Sequence, residues 1–571
     1  MTDFNVLKGK PFYLNQSQLS WVKETLERRT EEEKIGQLFC LITYTSDENY
    51  LKMLADKYRI GGIMGRPMPA EDVCMAANAL QKHSKIPVLF ASNFEAGGDG
   101  LIAEGTNVGP NLQIGACNDP EMARKQGYIC AKEGLAVGAN WAFAPVIDID
   151  RNFRNPIMGT RLFGSDEKLV AACGKAYTEE AQKQGMAVSI KHFPGDGVDE
   201  RDQHLVTSIN SLSCEEWDNT FGEAYKASID AGALTVMTGH IMMPAYSKKF
   251  RPEIKDEDIM PATLAPELLN DLLRGQLGFN GMIVTDSSTM AGMCIPMDRK
   301  IAVPKCIESG CDMILFTKNL DEDYRFMADG IKNGILSRDR LDEAVMRILA
   351  VKAALRLPEK KADGSIFVSM EDAKKVVGCQ EHKEIEAECS DRAVTLVKNK
   401  QGLIPMKVED FKRVLLYPIT GGKDAFGGGG DDIASVMKLA LEKEGFEVTV
   451  FEPAPGFEGL VAPVSDITEH YDLLLYVANL TTKSNQTVVR IEWEQPMGAN
   501  CPSFQAVIPT MFISFANPYH LIDVPRIRTF INAYKFKPAN VQAVVDKMLG
   551  RSAFKGESPV DAFCGMWDTR L

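Results

Sequence analysis

The sequence predicts an α/β protein in two parts, an N-terminal (β/α)8 TIM-like barrel and a C-terminal αβα sandwich. Three observations predict it. Short apolar runs alternate with longer amphipathic stretches from about residue 55 to 320, titratable residues follow those runs, and a second apolar series starts beyond a charged stretch near residue 358. Regular βα alternation implies a parallel sheet, and this many units over this length favours a closed barrel. The expected organisation is a barrel over residues 1–357, a linker over 358–381 and an α/β sandwich over 382–571.

In chain order, the first strand candidates are Ile60–Met64, Pro87–Ala91, Trp141–Ile149 and Val188–Ile190. Leu234–Met237, Met282–Val284 and Asp312–Phe316 complete the series. Helical patterns lie between them, such as EMARKQGYICAKEGLAV after Asp119-Pro120, DEKLVAACGKAYTEEAQKQG, and APELLNDLLRGQ after Thr263. Asp, Pro and Thr are fitting residues at helix starts. The helix RLDEAVMRILAVKAALRL (340–357) closes the first part, and the charged stretch after it reads as a linker. The second part offers Val394–Val397, Val414–Tyr417, Glu447–Phe451, Leu473–Val477, Met511–Phe515 and Thr529–Ala533 as strands. DIASVMKLALEKEG and NVQAVVDKMLG separate some of them. Too few for a barrel, they predict an open, doubly wound sheet.

Composition narrows the function. Of 571 residues, 45% are hydrophobic and 25% charged, as in ordinary globular proteins. The net charge of −14 comes without a Lys/Arg cluster, which argues against a nucleic-acid partner and against anionic lipid. The N-terminus lacks the basic start and apolar core of a signal peptide, and no apolar run has the length of a membrane span. The 13 cysteines are scattered and odd in number, without C-x-x-C, and read as buried thiols of a reducing compartment. A cytoplasmic location is the expectation. Oligomeric state is not legible. No cofactor motif stands out: FGGGGDD (426–432) joins a strand to a helix but lacks the partners of a phosphate-binding loop and reads as a flexible loop.

Polar residues, most of them titratable, cluster where the first-part strands end: Asn93, Asp148 and Asp150, Lys191 and His192, His240, and Asp286. In a barrel those ends converge on the face where active sites are built. The densest cluster is KHFPGDGVDERDQH (191–204), where an apolar run opens into two histidines and several acids. Three readings fit it. His192, Asp196, Asp202 and His204 could hold a metal, although no H-x-H or H-E-x-x-H spacing supports one. The histidines could merely satisfy backbone carbonyls. Or Asp202 and His204, two apart in an extended segment, could form a proton-transfer pair in which the carboxylate fixes one imidazole nitrogen and the other works on substrate.

KHFPGDG followed by Asp-x-His resembles the glycoside hydrolase family 3 motif, in particular its β-N-acetylglucosaminidase branch, where an Asp-Ser-His dyad replaces a glutamate acid/base. IVTDSSTMAGM (283–293) looks like the nucleophile strand of that family, and PVIDID…GTRLFGSD (145–166) is similar to its sugar-binding segment. SDRAVTLVKNKQGLIPM and FANPYHL resemble its second domain. The resemblance implies Asp286 as nucleophile, His204 as acid/base oriented by Asp202, and Lys191, His192 and Arg161 as ligands of sugar hydroxyls. It implies no cofactor and no metal. Two positions depart from the pattern. Asn93, in Asn93-Phe94-Glu95-Ala96-Gly97, stands where the family has an aspartate gripping a distal hydroxyl, and Gln203 replaces the dyad serine. Gln203 should face away and matter little. His240 reads as structural.

The implied activity is a retaining exo-β-N-acetylglucosaminidase acting on soluble oligosaccharides or muropeptides. Alternatives are a phosphorylase of β-N-acetylglucosaminides, a related β-hexosaminidase or β-glucosidase, and an inactive sugar-binding protein. The intact Asp286, Asp202 and His204 argue against the last.

Overall fold

The computed structural model describes residues 3–421 and 432–571. Eight parallel strands close a barrel: β1 (Phe39–Thr43), β2 (Gly62–Gly65), β3 (Leu89–Ser92), β4 (Trp141–Ala142), β5 (Ala187–Phe193), β6 (Thr235–Thr238), β7 (Met282–Ser287) and β8 (Met313–Leu315). Each strand pairs with its sequence neighbours, and β8 returns to β1. The strands are buried along almost their whole length, which is why they read as continuous apolar runs rather than as alternating ones. Seven of the eight match the expected runs. The eighth, Phe39–Thr43, lies upstream of the region where alternation was read. Its helix, Glu31–Gln37, abuts the strand with no Gly or Pro between them.

The chain divides into two compact units that are not contiguous in sequence. The barrel unit holds residues 1–107, 120–152 and 167–383, and the second unit holds 108–119, 153–166 and 384–571. Residues 358–381, expected as a linker, belong to the barrel unit and carry two short helices, Leu357–Asp363 and Met370–Val376. Asn78 exchanges two hydrogen bonds with the Val368 backbone. The buried Glu133 carboxylate accepts from Gly378 N and His382 Nδ1 at 3.0 and 2.7 Å, and from Thr106 N and Oγ1 at 2.8 and 2.7 Å. Charged composition signals solvent on one face of a segment, and these hydrogen bonds tie down the other.

In the second unit six strands form one sheet: β9 (Thr395–Asn399), β10 (Arg413–Thr420), β11 (Glu447–Val450), β12 (Leu473–Asn479), β13 (Thr510–Ser514) and β14 (Thr529–Asn532). Their order is β9-β14-β13-β12-β10-β11, antiparallel only between β9 and β14. Alternate residues face opposite sides. Val414, Leu416, Leu473 and Leu475 enter one core; Leu415, Tyr417, Leu474 and Tyr476 enter the other. Of FGGGGDD, only Asp432 lies within the described residues, and its side chain caps helix Ile433–Lys443.

Candidate active site

The polar strand ends meet at the C-terminal mouth of the barrel. Lys191 and His192 occupy the last turn of β5, where the peptide bond between them and the Phe193–Pro194 bond are cis. Both side chains are buried and both are paired. Lys191 Nζ lies 2.6 Å from Glu95 Oε1. His192 Nδ1 lies 2.7 Å from Asp148 Oδ2, while Asp148 Oδ1 accepts the His192 and Asp196 backbone N–H groups at 3.0 and 2.8 Å. A carboxylate can only accept, so Nδ1 carries the proton and Nε2 is turned to the mouth, 3.9 Å from Asp286 Oδ2.

Asp286 ends β7 with 14% of its side chain exposed. Ser287 N donates to Oδ1 at 2.7 Å. Burial pushes this carboxyl up, but the imidazoles of His192, His240 and His204 together with the Ser287 N–H outweigh it, holding the group below the ordinary aspartate range. The site therefore offers a carboxylate, not a carboxylic acid, at neutral pH. His240 is fully buried between Thr263 Oγ1 and the Ser287 carbonyl, each 2.9 Å away. Burial lowers its pKa, and its two bonds support the β6 and β7 ends.

The loop after β5 carries Asp202 and His204. His204 Nδ1 lies 2.7 Å from Asp202 Oδ1, and the same oxygen accepts His204 N at 2.8 Å. The two residues are not in an extended segment, as expected, but in a tight turn closed by the aspartate side chain. Asp202 is buried while 28% of the His204 side chain is exposed, leaving Nε2 as the free ring atom. The turn also overturns the expectation for Gln203. It is buried, with Nε2 3.2 Å from Asp196 Oδ2 and Oε1 accepting His240 N at 2.8 Å. A residue between two strand-like partners would point away; in a turn it points into the barrel end.

Asp286, His192, Lys191, Asp202 and His204 are thus brought together in the barrel unit. Asn93 follows β3, half-buried at the same mouth. Arg161 ends a 3-10 turn (Gly159–Arg161) in the second unit, where its carbonyl accepts from Asn111. The partners Glu95, Asp148 and Gln203 received no role from the sequence. A buried strand-end acid next to a required histidine is the signal that could have marked Asp148. Among the described residues, no group of three or more His, Cys, Asp or Glu is placed to hold a metal ion. No described helix is long and apolar enough to cross a membrane. The arrangement can do acid–base chemistry at Nε2 of His204 and nucleophilic chemistry at Asp286.

Comparison with known proteins bears on the family and the fold. Residues 30–351 match the model of the glycosyl hydrolase family 3 N-terminal domain. A β-N-acetylglucosaminidase/β-glucosidase of Cellulomonas fimi is 49% identical over 566 residues, covering 99% of this chain and all of that protein. The structure of a β-glucoside phosphorylase, BglX, superposes with a TM-score of 0.93 at 42% identity, covering 99% of this chain and all of that one. A family 3 β-N-acetylglucosaminidase from Paenibacillus sp. str. FPU-7 superposes with a TM-score of 0.78 at 24% identity, covering 94% of this chain and all of that one, a likeness of fold alone.

Proposed function

The chain belongs to glycoside hydrolase family 3, and from that premise we propose that it is a retaining exo-acting glycosidase that removes terminal β-linked GlcNAc from soluble oligosaccharides. One observation carries the reading. A carboxylate kept ionised by surrounding imidazoles stands beside a histidine whose other ring nitrogen is held by a buried aspartate. Asp286 attacks the anomeric carbon as His204 Nε2 gives its proton to the leaving oxygen. The C1–O bond to the aglycone breaks and a glycosyl ester on Asp286 forms. His204, now neutral, takes a proton from water, whose oxygen displaces Asp286 from C1. Lys191 and His192 are proposed to bind sugar hydroxyls, and Asn93 a distal one. The dual name of the Cellulomonas fimi relative supports acceptance of GlcNAc, with glucose as a second sugar.

Phosphorolysis is the second reading, favoured by the similarity to the β-glucoside phosphorylase. A neutral histidine base repels an incoming phosphate less than a glutamate would. Aryl β-glycosides of GlcNAc, GalNAc and glucose, incubated with and without millimolar phosphate, test both. Free GlcNAc as the dominant product in phosphate supports hydrolysis; GlcNAc-1-phosphate replaces it with phosphorolysis. No turnover of the GlcNAc substrate overturns the sugar assignment.

A further inference from the structure

The turn that carries His204 is fastened at several points, three of them through Gln203. Its backbone oxygen accepts Gly292 N at 3.2 Å, and the next carbonyl, of His204, accepts Ala291 N at 3.1 Å. These bonds join the turn to the segment after β7, the strand that ends in Asp286. Its side chain reaches the other way, to Asp196 of the β5 loop and to His240 N at the end of β6. Thr207 Oγ1 adds a bond to Gly292 O at 2.9 Å. Two glycines leave the room. A Cβ on Gly292 would lie 2.6 Å from Gln203 O, and one on Gly239 would lie 3.1 Å from Gln203 Oε1.

A residue here must accept from a buried backbone N–H and donate to a buried carboxylate across the width of the turn. Glutamine has both groups on one amide and the length to span them. Serine carries a single hydroxyl too short for both. An Asp202–His204 bond alone fixes the imidazole within its own turn, and nothing in that bond places the turn relative to Asp286. We propose that Gln203 is a positioning residue, a latch that holds the acid/base turn against the ends of β5, β6 and β7 so that His204 Nε2 stays at the distance glycosyl transfer from Asp286 requires. The inference rests on the acid/base reading of His204.

The test uses the full chain with aryl β-glycosides from dinitrophenyl to unsubstituted phenyl, in wild type, Gln203→Met, Gln203→Ser and His204→Ala, with melting temperature recorded for each. Methionine keeps the volume and removes both hydrogen bonds; serine covers the case in which methionine does not fold. kcat/KM reports the step that forms the glycosyl-enzyme. The latch predicts a loss of about 10-fold or more on phenyl glycosides against less than about 2-fold on dinitrophenyl glycosides, a fraction of the 10²–10⁴ of full acid–base assistance. On the dinitrophenyl substrate, kcat and KM should fall together as the glycosyl-enzyme accumulates. A melting change with equal losses on every leaving group, or no loss, while His204→Ala keeps its leaving-group dependence, overturns the latch and leaves the acid/base reading standing. If His204→Ala itself shows no leaving-group dependence, the acid/base reading falls and the latch with it.

Discussion

Asp286 and His204 have opposite neighbours, an acid among imidazoles and an imidazole on an acid. The first pairing keeps the carboxyl ionised, and the second fixes which ring nitrogen of His204 is left for substrate. With a dinitrophenyl glycoside, His204→Ala should form the glycosyl-enzyme at close to the wild-type rate but turn it over roughly 10²–10⁴-fold more slowly. A burst of phenolate and an added sugar mass on the intact protein check this; wild-type steady-state turnover without a burst would show that the loop histidine only satisfies its neighbours. That variant keeps His192, His240 and the Ser287 N–H, which hold the Asp286 carboxyl low, so its burst rate should stay level as pH falls from 7 to about 5, declining only below about 4. A decline centred near pH 6 would mean the nucleophile is not held ionised. At the other end of the sugar, Asn93→Asp restores a charged acceptor worth ~1.5–3 kcal/mol. It should change the ratio of GlcNAc to GalNAc substrate rates by about tenfold, and a change within about twofold removes Asn93 from the sugar. These residues were legible because their types and their places after apolar runs are both visible in one dimension. Their supports were not: Glu95 meets Lys191, and Gln203 meets His240, only after folding brings different strand ends together.

At the scale of elements, period and length were enough for most strands, and failed where no punctuation separates neighbours. Phe39–Thr43 follows a helix directly, so its five residues look like the tail of that helix rather than the strand that closes the barrel. The stretch 358–381 failed for the opposite reason. Its charges hide a small number of anchoring contacts, and the most connected partner is Glu133 of helix Pro120–Ala136, whose fully buried carboxylate accepts four bonds, one of them from Gly378. Glu133→Ala leaves buried donors on Thr106 and His382 without an acceptor, each costing about 1–3 kcal/mol, and frees the half-buried Gly378 N–H. The variant should lose about 3–5 kcal/mol locally. Trypsin should then cut after Lys374, Lys375 or Lys383 at least tenfold faster than in wild type, read by mass spectrometry. Equal cutting rates would mean the segment is held by its apolar contacts, not by this carboxylate.

For the whole molecule, the division into units could not be read from composition. The inserts 108–119 and 153–166 leave the barrel sequence to join the second unit; their glycines and prolines, such as Gly109-Pro110 and Pro156, read as those of ordinary barrel loops and do not single them out. A second global property comes from the barrel's buried charge. Lys352, in helix Arg338–Ala354, is fully buried, with Nζ donating to Gln37 Oε1 at 2.7 Å. Burial brings its pKa down to about 7, only partly offset by Cys40. The unfolded chain holds that proton up to about 10.4. Between pH 7 and that value the unfolded state binds more protons, so the cost of burying Lys352 is full below pH 7 and shrinks as pH rises. The slope is at most about 1.4 kcal/mol per pH unit. Lys352→Met removes the titrating group and leaves Gln37 Oε1 without its donor, a constant cost of about 1–3 kcal/mol at every pH. The wild-type stability minus that of the variant should therefore be level from pH 6 to 7 and then climb by roughly 1 kcal/mol per unit to pH 9. Urea unfolding followed at the buried Trp141 and Trp217, with Trp21, Trp493 and Trp567 replaced by Phe in both proteins, measures it in the barrel unit. A difference that does not vary with pH would show that Lys352 keeps its proton in the folded barrel, paid for by the Gln37 bond.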